Sequence, residues 1–378
     1  MQTVTTRNVS VVSVPALYLA IETGARKWKV GFSSGMGQRA RVRNLPAGAL
    51  DELRAEISRA KERFGLAAEA PVYSCYEAGR DGFWIHRALT AAGVNNVVVD
   101  SSSIQVDRRA RRAKSDGLDV VQLLDQLMRY HRGESRVWRV VRTPTLEDED
   151  RRQLNRELRS RKDDRTRVTN RIKGLLATHG VLLREGELPR HLDKVKQWDG
   201  TPLPPNVRAR LERELAHVAL LDADIAALNT QRKALLDAKE ERGAQIAGKL
   251  MRLHSIGKES AWTYAMELFG WRRFNNGREV GALVGLVPTP YQSGDMRREL
   301  GITKAGNRHV RAMAIEIAWL WLRYQPTSAL TRWYMERFGS GGPVQRRKGI
   351  VALARKLLIA LWRYVEFDIV PEGATLKT

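Results

Sequence analysis

The chain has 378 residues, 43% of them hydrophobic, and carries 65 Lys and Arg against 42 Asp and Glu, for a formal net charge of +23. That length suggests two or three domains, and so positive a field draws polyanions, nucleic acid first and an anionic membrane second. Its single cysteine, Cys75, excludes an internal disulfide and a zinc site built on several cysteines, no window offers the apolar run of a membrane span, and the expected compartment is a reducing cytosol.

Residues 1–15 lack a basic start followed by an apolar core and read as a leader, not a signal peptide. Ala16 to Glu22 is a short apolar run ending in an acid, the pattern of a buried strand. Lys27 to Phe32 and Arg39 to Leu45 predict two more strands, joined by the Gly-Ser loop 33–37. Pro46 opens a helical stretch with Leu50, Leu53, Ile57 and Phe64 on one side. Pro71 to Glu77 is another apolar run ending in an acid, followed by a helix over 82–92 and a strand over 97–99. A helix starting at Ser115, with Asp116 and Asp119 in its first turn, completes the order β-β-β-α-β-α-β-α, an α/β layer structure. We take this domain as 16–140.

Residues 146–250 are dense in charge and helical in period. Val218, Leu221, Ile225, Leu228 and Leu235 fit an apolar seam that Arg232 interrupts, and the Pro- and Gly-rich stretch 185–205 predicts a break between two long helices. The segment 141–250 therefore reads as an antiparallel helical arm. From 251 to 378 the chain reads as mainly helical, with buried helices at 309–323 and 348–366.

Four acids stand out by position. Glu22 and Glu77 each end a predicted strand, and Asp116 and Asp119, three apart, share one helix face. An Asp-x-x-Asp at a helix start is by itself usually a solvated capping pair. Acids that end buried strands are less ordinary, because an unpaired buried charge is costly. All four in a strongly basic chain suit a hard divalent cation, Mg²⁺ or Mn²⁺, of the kind that assists phosphoryl transfer.

Cationic runs supply candidate nucleic-acid contacts. The first comprises Arg108, Arg109, Arg111, Arg112 and Lys114. The second, Arg297, Arg298, Lys304, Arg308 and Arg311, follows the dipeptide Ser293-Gly294, and the third is Arg346, Arg347 and Lys348. A serine attacking phosphorus needs such cations around the developing charge, although Ser-Gly on its own is an ordinary turn signal. Leu253 to Ala261 is similar to a helix-hairpin-helix turn in which Ser255 stands for the first glycine; an ordinary helix connection is the equal alternative. Arg355 and Lys356 fit cations lying beside a core face.

Three blocks carry a resemblance: Cys75-Tyr-Glu77-Ala-Gly79; Ala113-Lys-Ser-Asp116-Gly-Leu-Asp119; and a long block from Leu253-His-Ser-Ile-Gly257 through Phe274, Gly285-Leu-Val-Pro288 and Gln292-Ser-Gly294 to Ile302-Thr-Lys-Ala-Gly-Asn307 and Arg311. On these residues the chain resembles the DEDD transposases of the insertion-sequence family numbered one hundred and ten, relatives of the Piv DNA invertases. The likeness runs from about residue 18 to 365, with the arm matching only in type. It implies an RuvC-like N-terminal domain of the RNase H fold, a coiled-coil arm and a C-terminal transposase domain. It implies metal-binding and catalytic roles for Glu22, Glu77, Asp116 and Asp119, with Glu22 where the family has Asp, and a nucleophilic Ser293. It implies nucleic-acid contact by the cations above and by Asn307. The implied partners are target and donor DNA, a noncoding bridge RNA and further copies of the chain, from dimer to tetramer, working at the nucleoid.

The expected activity is thus strand cleavage and exchange through a phosphoserine intermediate. Two alternatives stand beside it: a metal-dependent, junction-resolvase-like nuclease in which water attacks, and a non-enzymatic nucleic-acid-binding scaffold.

Overall fold

A computed structural model describes residues 15–104, 116–134, 136–184, 186–293 and 296–377, and divides the chain between Thr143 and Pro144 into two units. Each is described by itself.

The first unit is a mixed five-stranded sheet in the order β3-β2-β1-β4-β5. Its strands are β1 (Leu17–Glu22), β2 (Lys27–Ser33), β3 (Arg41–Pro46), β4 (Val72–Glu77) and β5 (Asn95–Val99). The β1–β2 and β2–β3 pairs are antiparallel, whereas β1–β4 and β4–β5 are parallel. Central strands buried on both faces need near-continuous apolar sequence, and β1 and β4 supply it. Helices α1 (Leu50–Arg63) and α2 (Trp84–Ala91) cover one face, packing Leu53, Ala60, Ile85 and Leu89 on Leu17, Leu19, Ile21 and Tyr76. Helix α3 (Asp116–His131) covers the other, setting Val120, Leu123, Leu124 and Leu127 against Ala20, Cys75 and Val99. Burial of Cys75 pushes its thiol up, which keeps it protonated and inert. The element order matches the sequence expectation. Residues 139–141, not read as extended, lie along β5, with Val141 N–H donating to Val98 O at 2.7 Å.

The second unit begins with two long helices, α4 (Leu146–Ala177) and α5 (Pro205–Ala238). Thr145 caps α4, its hydroxyl accepting from Asp148 N–H at 3.1 Å, with Glu147, Asp148 and Glu149 facing the helix dipole. The helices run antiparallel, as Arg171–Glu214 (2.9 Å), Arg161–Asp224 (3.4 Å) and Arg165–Asp222 show. Between them lie Val168, Ile172 and Leu176 against Leu211, Val218 and Leu221. The break starts earlier than its composition suggested: α4 stops at Ala177, and Gly180, at φ +77°, turns the chain back.

The remaining helices are α6 (Arg242–Met251), α7 (Lys258–Tyr264, continued by a π-helical turn over Ala265–Phe269), α8 (Gly277–Leu283), α9 (Arg308–Tyr324), α10 (Ala329–Tyr334) and α11 (Pro343–Phe367). They bury Trp262, Phe269, Val310, Ile317, Trp321, Leu353, Leu357 and Leu361 in one core, each such leucine contributing about 2 kcal/mol. Leu154 of α4 and Leu236 of α5 join that core, so the base of the arm is packed into it. Between α8 and α9 stands a hairpin, β6 (Pro288–Ser293) and β7 (Met296–Ile302), that the helical reading of this region did not foresee.

Candidate active site

Glu22 and Glu77 close the carboxyl ends of neighbouring parallel strands. Ile21 pairs with Tyr76, so one further step of the register sets the two acids side by side. Side chains alternate along a strand, and Ala20 and Cys75, two residues back, both face α3. Glu22 and Glu77 therefore belong to the α3 face. Glu22 is half-buried with its Oε2 shielded from solvent, and Glu77 is exposed.

The direction of α3 brings its first turn to the same edge. Val120 lies over Gly31, where a Cβ would meet Val120 Cγ2 at 3.4 Å, and Gly31 pairs with Ala20. Farther along, the Cys75 thiol points to Leu123 O at 3.9 Å, and the His131 ring lies 4.1 Å from that of Tyr73. The helix thus runs from the carboxyl ends of β1 and β4 toward their amino ends, and Asp116 and Asp119 start at the acid-bearing edge. Asp119 is half-buried; the Asp116 side chain lies outside the described residues. Among the described residues no three His, Cys, Asp or Glu side chains gather as a metal site. The candidate donors are all carboxylates, the donor chemistry that suits a hard cation such as Mg²⁺.

Ser293 is the last residue of β6 and pairs with Met296 of β7. It ends a strand where the sequence suggested a bend, and its side chain, like those of Arg297 and Arg298, is outside the described residues. The base of this hairpin is built from the parts of the third motif block. Thr303 N–H donates to Val287 O at 3.0 Å, Lys304 N–H to Gly285 O at 3.1 Å and Asn307 N–H to Leu283 O at 3.4 Å. Gly285 (φ +66°) and Gly306 (φ +78°) allow the approach: a Cβ on Gly285 would land on the Ala305 carbonyl, and one on Gly306 on the Leu283 carbonyl. Arg311 Nη1 then donates to Val284 O (2.9 Å) and Ala305 O (3.1 Å), tying both strips to α9. Asn307 is the N-cap of α9, its Oδ1 accepting from His309 and Val310 N–H at 3.0 and 3.2 Å. Asn307 and Arg311 thus have backbone partners inside the protein, a role their motif positions did not disclose.

Of the other cations, Arg108, Arg109, Arg111, Arg112 and Lys114 lie outside the described residues. Lys304 and Arg308 are exposed beside the hairpin base. Burial, with Arg159 and Arg308 nearby, holds the His309 imidazole below its ordinary value. Arg346, Arg347 and Lys348 are exposed near the start of α11, with Arg346 donating to Gly339 O at 3.0 Å. Lys356 lays its ammonium 4.6 Å from the Trp333 ring centre, as a cation beside a core face should.

In the turn between α6 and α7, Ser255 takes φ +84°, the conformation for which a glycine is usual. Gly257 N–H donates to Ser260 Oγ at 3.2 Å, and Lys377 reaches back to Met251 O and Ile256 O. Two buried acids went unread in the sequence. Glu267 accepts from Arg156 Nε at 3.2 Å and Asn155 Nδ2 at 3.4 Å, and Glu56 accepts from Arg41 at 2.6 Å. The only signal for Glu267 was an acid inside the apolar run 264–269.

Residues 247–332 match the Transposase IS116/IS110/IS902 family. Over 385 aligned residues, 97% of this chain and 96% of the relative, the sequence is 40% identical to the putative transposase y4rJ of Sinorhizobium fredii. It is 31% identical to a probable family 20 transposase of Pseudomonas aeruginosa, over 52% of this chain and 58% of that one. To the transposase for insertion sequence element IS1328 of Yersinia enterocolitica it is 28% identical, again over 52% and 58%.

Proposed function

The chain belongs to the IS116/IS110/IS902 family of transposases, and on that premise we propose that it is an RNA-guided DNA recombinase acting through a phosphoserine intermediate at Ser293. The acid edge carries this reading: Glu22 and Glu77 end adjacent parallel strands on the face where α3 begins with Asp116 and Asp119. Three antiparallel strands followed by two parallel ones, with acids at the strand ends, support an RuvC-like, RNase H-fold assignment for this unit.

Glu22, Glu77, Asp116 and Asp119 would hold Mg²⁺. The bound ion would supply charge neutralisation at the scissile phosphate. Ser293 Oγ attacks phosphorus, losing its proton to solvent. A serine–phosphate ester forms as the bond from phosphorus to the leaving deoxyribose oxygen breaks, and that oxygen takes up a proton. A hydroxyl of the recipient strand then displaces the serine, so one phosphoester replaces another and no nucleotide cofactor is consumed. Arg297 and Arg298 in β7, with Lys304 and Arg308 just after it, follow Ser293 in sequence with the positive charge that the pentacovalent phosphorus requires. Partners in this reading are donor and target DNA, a noncoding bridge RNA and further copies of the chain.

Trapping the reaction in denaturant tests it. Protein covalently joined to DNA is expected with the wild type and absent with Ser293→Ala, and Asp116→Ala should abolish strand joining while nucleic-acid binding persists. Cleavage that survives Ser293→Ala would assign a water-attacking nuclease instead. Unchanged strand joining in Asp116→Ala would remove the metal from the account.

A further inference from the structure

At the amino ends of the first unit's central strands, opposite the acids, aromatic rings collect. Tyr18 near the start of β1 and Tyr73 in β4 are adjacent in the parallel register and stack at 5.9 Å with their planes 28° apart. His131, the last residue of α3, lies 4.1 Å from Tyr73 and 6.0 Å from Tyr18. Tyr130 meets His131 edge-on at 5.6 Å and Trp138 at 5.8 Å, so five rings form a continuous ladder. Trp138 is buried and anchors it. Tyr18, Tyr73 and Tyr130 are half-buried and His131 is exposed.

A ladder that served only as core would be covered and apolar. Trp138 belongs to the α3-side core and Tyr18 and Tyr130 pack at its margin, but Tyr73 belongs to neither core of this unit, and among the described residues neither the Tyr18 nor the Tyr73 hydroxyl has a hydrogen-bond partner. Cations border the rings. Arg132 is exposed next to His131, close enough to Tyr18 to act on its phenol, and forms no ion pair with a described residue. Arg136 is exposed four residues on. Although His131 is exposed, its ring is partly desolvated where it lies on Tyr73, which keeps the imidazole below its ordinary value, so at neutral pH it is an uncharged flat ring.

We infer that Tyr18, Tyr73 and His131, with Arg132 beside them, form a stacking platform for unpaired bases of single-stranded DNA. Flat rings at the strand ends accept any base on its π-face, and a bordering guanidinium meets the phosphates between bases. The choice of DNA rests on the family assignment. Strand exchange must leave bases unpaired beside the scissile phosphate, and from Tyr18 to Glu22 is four strand residues, about 13 Å. That line runs beneath α3, so a strand held at the acid end would reach the rings along the outside of this 16-residue helix, about 24 Å long.

The test is equilibrium binding by the full chain, in chelator and without chemistry, to a short single-stranded DNA oligonucleotide containing 2-aminopurine, whose fluorescence falls on stacking. His131→Ala, at an exposed position, and Tyr73→Leu should each weaken binding about tenfold and relieve the quenching. The slope of affinity against salt should not change, because no cation is lost. Tyr73→Phe should behave as wild type. Arg132→Gln should lower the salt slope. The corresponding duplex should bind all ring variants alike. Equal loss on duplex and single strand, or no loss at all, would overturn the platform. A preference for the matching RNA oligonucleotide that disappears in the ring variants would overturn the assignment to DNA. Failure of the wild type to join strands would refute the recombinase reading and leave these binding results as they stand.

Discussion

Arg232, the cation that interrupts the apolar seam of α5, donates to Glu259 of α7 across 2.6 Å, while Lys162 of α4 reaches the other carboxylate oxygen at 2.9 Å. One acid therefore joins both helices of the arm to the C-terminal core. The Arg232 side chain is only 9% exposed, so removing its partner strands a charge away from water. Glu259→Ala should cost about 1–2 kcal/mol, less than for a fully buried pair because Glu259 is half in solvent. Chemical denaturation would show it. An unchanged midpoint would mean that the pair adds nothing.

The same pair makes acid stability informative. Burial alone would raise the Glu259 carboxyl, but the hydrogen bonds from Arg232 and Lys162 prevail and hold it below its ordinary value. Its contribution is complete above the unfolded value, near 4.3, and is lost as pH falls through the lower folded value. His86, His131 and His309 are also held low, by burial first in each case. Their contribution is present above about 6.5 and disappears as pH falls through the folded values. Tm should therefore decline on acidification from neutral to about pH 5, and His86→Gln with His309→Gln should flatten that decline. A Tm that rises over this range contradicts the assignment.

Arg311 and Gly306 should matter to the reaction without touching it. Arg311→Lys keeps the charge but gives up the planar fork that serves the Val284 and Ala305 carbonyls. It should impair serine–DNA adduct formation more than DNA affinity. Gly306→Ala should be worse, since it places a methyl on the Leu283 carbonyl at positive φ, with a loss of about 2 kcal/mol or more. If Arg311→Lys lowered affinity and adduct yield in parallel, Arg311 would be a DNA contact.

Gly31→Val tests whether α3 must lie close to the sheet. A Cβ there already approaches Val120 at 3.4 Å and Leu124 at 3.7 Å, so two further methyl groups would lift the start of the helix and Asp119 with it. The expected stability loss is about 1–3 kcal/mol. Well below the new Tm, strand joining should fall further than nucleic-acid binding. Wild-type joining in a folded Gly31→Val protein would separate Asp119 from the chemistry.

The α/β unit was legible because β1 and β4 are apolar on both faces and each ends in an acid. That Glu22 and Glu77 stand side by side depends on the β1–β4 register, which no local pattern encodes. The hairpin was hidden for a physical reason. β6 contains Pro288 and Pro290, which argue against a strand, and β7 carries Arg297, Arg298 and Glu299 in succession, residue types without a strand pattern. Arg232 read as a flaw in the seam because its partner lies 27 residues on and in another helix. Gly285, Gly306 and Arg311 were recognised as a motif, but their mutual closure needs the fold.

The base of the arm is packed into the C-terminal core through Leu154 and Leu236. From Lys162, at the Arg232–Glu259–Lys162 junction, to Ala177 at the end of α4 is about 23 Å at about 1.5 Å per residue. A tilt of about 5° at that junction would carry the far turn sideways by about 2 Å on that length. Adjustments too small to disturb the packing of Leu154 and Leu236 are thus geared up toward the turn where Gly180 meets Trp198.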